Sequence, residues 1–98
     1  MDSSDFHPGQ LVSSCAGRDQ GRYFVVIDVV DESLVRVVDG DLRRVEKPKV
    51  KNMRHLIRYE RTVTSIADKL RSGQRVTNEQ VRLALKETLN EEALNKEV

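Results

Sequence analysis

Four aromatic residues, one cysteine and two prolines are all that 98 positions provide, and the formal net charge is only +1. The lone Cys15 excludes an internal disulfide framework and any Cys-x-x-Cys metal or redox motif. The N-terminal residues show no basic start followed by an apolar stretch, and no apolar run is long enough to span a bilayer. Neither a signal peptide nor a membrane anchor is therefore expected, and the expected compartment is the cytoplasm. A charge so close to zero excludes a polybasic tail that coats any anion it meets. With only Phe6, Tyr23, Phe24 and Tyr59 to draw on, an exposed aromatic groove for peptides is poorly provided for. The length fits one domain around one core.

Charge is instead concentrated. Between Arg43 and Arg61 stand eight basic residues, Arg43, Arg44, Lys47, Lys49, Lys51, Arg54, Arg58 and Arg61, against Glu46 and Glu60, a net of +6 that leaves −5 for the rest of the chain. Such asymmetry in a nearly neutral protein marks a candidate anion-binding surface. The competing reading is a solvated connector whose lysines serve solubility.

The periodicity changes along the chain. Residues 1–8 are polar apart from Phe6 and read as a loose arm that ends at the Pro8-Gly9 turn. Leu11-Val12 open a short strand, and Tyr23 to Val30 is rich in β-branched and aromatic residues, the firmest strand in the chain. Asp31-Glu32-Ser33 supplies turn chemistry before a strand at Leu34–Val38, and Asp39-Gly40 predicts a hairpin into a further strand at Leu42–Val45. Pro48 keeps 47–52 out of any central strand, and His55–Tyr59 returns as a fifth strand. Ser65-x-x-Asp68 predicts a capped short helix ended by Gly73. Thr77-x-x-Gln80 predicts a second helix with Val81, Ala84, Leu85 and Thr88 on one face. The expected organisation is mainly β with an α tail: an arm over 1–8, a small five-stranded barrel over 9–60, a helical tail over 61–90, and a frayed or helical end over 91–98.

The stretch "GQLVSSCAGRDQGRYFVVIDVVDESLVRVVDG", Gly9 to Gly40, resembles the KOW motif, a strand, glycine-bearing loop and strand within an SH3-like barrel. The continuation "RRVEKPKVKNMRHL" is similar to the archaeal and eukaryotic large-subunit ribosomal protein fourteen family and to its short bacterial KOW-domain relatives, and the helical tail resembles that of the bacterial relatives. The resemblance covers Gly9 to about Glu87. It implies an SH3-like barrel that binds folded RNA, ribosomal RNA foremost, in a setting of ribosome and translation.

The residues can be asked whether they suit that role. Gly17 and Gly21 flank Arg18-Asp19-Gln20, so the loop can take positive φ at both ends and expose backbone amides to phosphates, with Arg18 and Arg22 as fork-shaped donors beside them. For Gly21 the turn itself is the leading role. Lys47, Lys49 and Lys51 alternate around Pro48 and Val50, which in an extended chain points three ammonium groups to one side, roughly 6–7 Å apart, near the spacing of phosphates along a strand. Arg43, Arg44, Arg54 and His55 widen that track. So few aromatics favour recognition through phosphates and 2′-hydroxyls, with Tyr23 or Tyr59 as single stacking partners.

No enzyme is expected. His7, Cys15 and His55 are scattered, no His-x-x-x-His or phosphate-cradling glycine loop occurs, and Cys15 at a strand end reads as a small packed residue. No metal or other cofactor is expected. The alternative function is a protein-interaction module using the barrel or the apolar face of the second helix.

Overall fold

The computed structural model of the protein describes residues 6–97. Strands β1 (Gln10–Ser14), β2 (Tyr23–Val29), β3 (Leu34–Val38), β4 (Lys49–Asn52) and β5 (Leu56–Thr62) form one antiparallel sheet in the order β4-β3-β2-β1-β5. A 3₁₀ turn at Met53–His55 joins β4 to β5, and helices α1 (Thr64–Arg71) and α2 (Asn78–Glu97) follow.

The continuous apolar run Phe24–Ile27 within β2 has a simple cause: both faces of the sheet are covered there. One face buries Val12, Phe24, Val26, Val35, Val37 and Leu56 together; the other buries Leu11, Val25 and Val38 beneath Val63 and Ile66, which bracket the start of α1, and Val81, Ala84 and Leu85 of α2. Alternation along each strand assigns neighbours to opposite faces, so Val25 pairs with Val38 on the helix side and Val26 with Val37 on the other. Fully burying a side chain such as Phe24 stabilises the fold by about 1.5–3 kcal/mol.

The sheet remains open, with β4 and β5 as its edges, but it is strongly bent. Lys51 of β4 donates from Nζ to Ser14 Oγ of β1 at 3.2 Å, although three steps of the strand order separate the two strands. Two register slips, at Ile27 in β2 and opposite Leu11 in β5, accompany the bend. The fully buried Gln10 fills the second slip, donating from Nε2 to the carbonyls of Tyr59 and Arg61.

Several expectations need correction. Leu42–Val45 is not a strand, because the Asp39 carboxylate takes the amides that a ladder would need: Oδ1 accepts from the N–H of Asp41 and of Arg43, both at 2.9 Å. The fourth strand is Lys49–Asn52, on an edge as Pro48 requires. Ser65 does not cap α1. The helix starts at Thr64 after Val63, which is buried in the helix-side core and donates its N–H to the Gly9 carbonyl at 2.7 Å, so tertiary anchoring sets the first turn. Within the N-terminal arm, Phe6 packs on the core inside the bend, and the exposed His7 places Nε2 3.0 Å from Thr62 Oγ1. The rest of the N-terminal arm, residues 1–5, lies outside the described residues.

Both helix signals at the far ends hold. Gly73 at φ +71° closes α1 with Gln74 N–H on the Lys69 carbonyl and its own N–H on that of Leu70. Thr77 and Gln80 exchange the two capping hydrogen bonds, 3.1 and 3.2 Å, that start α2. The apolar face of α2 lies on the protein's own sheet, and the helix continues to Glu97.

Candidate nucleic-acid interface

The loop between β1 and β2 is closed at its base by Ser14 and its neighbours across the gap: Ser14 N–H donates to the Arg22 carbonyl at 3.0 Å, and Gly21 N–H to the Ser14 carbonyl at 2.8 Å. Gly17 and Gly21 both sit in the left-handed region, φ +76° and +88°, and a Cβ at either would meet nothing within 4 Å. Both are therefore turn residues with open space in front of them, and the geometry treats them alike.

Two buried carboxylates fasten this loop to the loop that follows β3. Asp19, 3% exposed, accepts from Arg43 Nη2 at 2.9 Å and Nε at 3.2 Å, with Lys51 Nζ 3.7 Å away. Asp39, 6% exposed, accepts from Arg22 Nη2 at 2.9 Å and Nε at 3.3 Å in addition to its two backbone donors. Burial pushes the Asp39 carboxyl up, but the amides of Arg43 and Asp41 and then the Arg22 guanidinium outweigh it and hold the group below its ordinary value. The hydrogen bond to Asp39 in turn raises Arg22. Helix α2 braces the same loop: Asn78 Oδ1 accepts from Val45 N–H at 2.8 Å, and Arg82 Nη1 donates to the Gly40 carbonyl at 2.6 Å.

The eleven residues singled out from the sequence thus separate. Arg22, Arg43 and Lys51 are occupied internally. Lys49 and Lys51 do share a face, as alternation requires, but their partners across the ladder are Val37 and Val35, so it is the inner face of the bend. Lys51 is consequently buried, while Lys49 at the rim is exposed and Lys47 lies in the bend before the strand. The expected row of three exposed ammonium groups is reduced to two. Arg44 is exposed and 3.2 Å from Glu46, whose carboxyl it holds below its ordinary range with help from Asn78 Nδ2. Gly17, Arg18, Gly21, Arg54 and His55 are exposed. Cys15 N–H donates to the His55 carbonyl at 2.9 Å, so the β1–β2 loop abuts the 3₁₀ turn as well as both clamped segments. Among the described residues the side chains of Arg18, Lys47, Lys49 and Arg54 form no ion pair.

Asp19 and Asp39 escaped sequence reasoning. Asp39 carried a signal, an Asx turn over Asp39-Gly40-Asp41, but the same residues also spell a hairpin; Asp19 carried none, since its burial depends on strands distant in sequence. Cys15 is exposed and not packed. Tyr59 is half-buried with its hydroxyl 2.8 Å from Ser13 Oγ, which commits it to the sheet; its ring lies 5.8 Å from that of Tyr23.

No protein-family model matches the chain, and no curated protein matches it. Among the described residues no cluster of His, Cys, Asp and Glu could hold a metal ion, and no helix is long and apolar enough to cross a membrane.

Proposed function

We infer that the protein is an RNA-binding module of the KOW, ribosomal-protein type, built on an SH3-like barrel and gripping folded RNA through its backbone phosphates. The observation that carries this reading is the split among the cations. Asp19 and Asp39 are already neutralised by Arg22, Arg43 and Lys51, which leaves Arg18, Lys47, Lys49 and Arg54 exposed and, among the described residues, unpaired around a loop held in one geometry. With the loop backbone already fixed, phosphate docking has only the side chains left to order. A strongly bent five-stranded sheet with a 3₁₀ turn before its last strand supports the SH3-like assignment. The sequence resemblance points to ribosomal RNA as the target and to the ribosome as the setting. The protein-interaction reading has less to draw on, because the apolar face of α2 is spent on the protein's own core.

Competition binding tests the reading. A labelled RNA stem-loop is challenged with RNA duplex, DNA duplex and proline-rich peptide. RNA duplex is expected to compete well, DNA duplex poorly for want of 2′-hydroxyls and A-form shape, and peptide not at all. Peptide competition with no effect of RNA duplex would replace the RNA reading by the interaction module.

A further inference from the structure

Phosphate is common to RNA and DNA, so Arg18, Lys47, Lys49 and Arg54 alone would not tell the two apart. One anion stands among these cations. Arg44, Val45, Glu46 and Lys47 form a turn closed by the Lys47 N–H on the Arg44 carbonyl at 3.0 Å. Asn78, at the start of α2, fixes that turn from behind: its Oδ1 accepts from Val45 N–H at 2.8 Å, and its Nδ2 donates to Glu46 Oε1 at 2.5 Å. Arg44 Nε donates to Glu46 Oε2 at 3.2 Å. The Glu46 carboxylate is thus held at both oxygens, yet 63% of its side chain remains exposed, next to Lys47 in the chain. A carboxylate offers about four acceptor sites, so these two donors leave room for a third.

A fixed acceptor in that place does not serve phosphate binding, because phosphate oxygens are acceptors too and are repelled by it. It suits a backbone that also offers donors. Along a duplex backbone only RNA does so, through the 2′-hydroxyl that DNA lacks. We propose that Glu46 distinguishes RNA from DNA, its carboxylate accepting a hydrogen bond from a ribose 2′-hydroxyl of an RNA whose phosphates lie on Lys47 and Lys49. The proposal rests on the RNA-binding reading and adds to it the group recognised besides phosphate. An O–H donor on an ionised acceptor makes one of the stronger hydrogen bonds, and a carboxylate already oriented by Arg44 and Asn78 has little left to order. Deoxyribose in the same place presents no donor, and the carboxylate then only repels. Arg44 and Glu46 together add no net charge, so the pair contributes selectivity and leaves the salt dependence to the four unpaired cations.

Two duplexes of one sequence provide the test, one of ordinary RNA and one with 2′-fluoro in place of every 2′-hydroxyl, which keeps the A form and removes the donor. The full chain is expected to bind the ordinary duplex about tenfold more tightly, the size that one hydrogen bond to a charged group supplies. Glu46→Ala should bring the two affinities within about twofold of each other and leave the fluorinated duplex bound at least as well as by the parent. The turn keeps its backbone hydrogen bonds in this variant, so it is expected to fold, and the comparison of the two duplexes on the parent stands without it. Equal affinities in the parent overturn the role of Glu46 and leave RNA binding intact. A preference that persists in a folded Glu46→Ala does the same, since the carboxylate is then only a solvated or repelling charge. Failure to bind either duplex overturns both.

Discussion

Arg43 and Lys51 lie within eight residues of Lys47 and Lys49 in the chain, yet the two pairs do opposite work. The first pair meets on Asp19, in a protein interior where the carboxylate is almost wholly buried; the second faces solvent with no acidic partner among the described residues. Arg22 and Arg18, four residues apart, repeat the contrast across the β1–β2 loop. The lesson is that cations near an anion-binding surface cannot be counted from composition. A buried carboxylate converts its neighbouring cations into fasteners and leaves the others as ligands.

The comparison breaks most visibly at Asp19. Asp19→Ala leaves Lys51 and Arg43 without their carboxylate, and removing one side of a buried pair costs about 3 kcal/mol, which for a domain of this size lowers the melting temperature by roughly 10–20 °C. Adding Lys51→Met to Asp19→Ala should recover part of that loss, because no buried ammonium is then stranded; a thermal double-mutant cycle measures the recovery. No loss in Asp19→Ala would mean that the cluster is not a fastener at all.

Next in size is a pair of glycines. A Cβ at Gly40, φ +79°, would collide with the Asn78 carbonyl at the start of α2, whereas at Gly17, φ +76°, it would meet open space. Gly40→Ala is expected to cost about 2–3 kcal/mol and Gly17→Ala about 1 kcal/mol, the latter from backbone strain alone. Chemical denaturation of the two variants distinguishes a packed loop from an open one.

A smaller effect appears on acidification. The Asp39 carboxyl is held below its ordinary value of 3.8, so its contribution to stability is complete above that pH and is lost as pH falls through the lower, folded value. Denaturation midpoints taken from pH 5 downward should fall more steeply below about pH 4 in the parent than in Asp39→Asn, which has no such proton to take up. Parallel profiles would show that Asp39 is not favoured in its charged form.

What could be read in advance follows from how local each cause is. Strand β2, the Thr77–Gln80 cap and the Gly73 stop are set by residues within a few positions of one another, and each was legible. Leu42–Val45 misled because the hydrophobic spacing of a strand competes there with a side chain, Asp39, that takes the amides of residues 41 and 43. The start of α1 depends on Val63 reaching Gly9, fifty-four positions away, and no local pattern encodes that. At Lys51 the alternation was right about which residues share a face and silent about whether the face is inside, since that is decided by the bend of the whole sheet. Asp19 belongs to the same class: its burial comes from β4 and the loop before it folding over it.

The smallest stability change is expected where the binding change is largest. Lys47→Gln with Lys49→Gln should alter stability by less than about 0.5 kcal/mol, because exposed unpaired charges contribute little to folding. The direct test of the division between fasteners and ligands is therefore the salt dependence of RNA affinity in the parent and in this double variant. With Arg18, Lys47, Lys49 and Arg54 as the contacts, log K against log salt should fall with a slope of roughly −3 to −4, and the double variant should lose about half of it. A slope of about −5 or steeper would mean that Arg22, Arg43 and Lys51 leave their carboxylates to bind phosphate, and a slope unchanged by the double substitution would place the ligands elsewhere; either result contradicts the account.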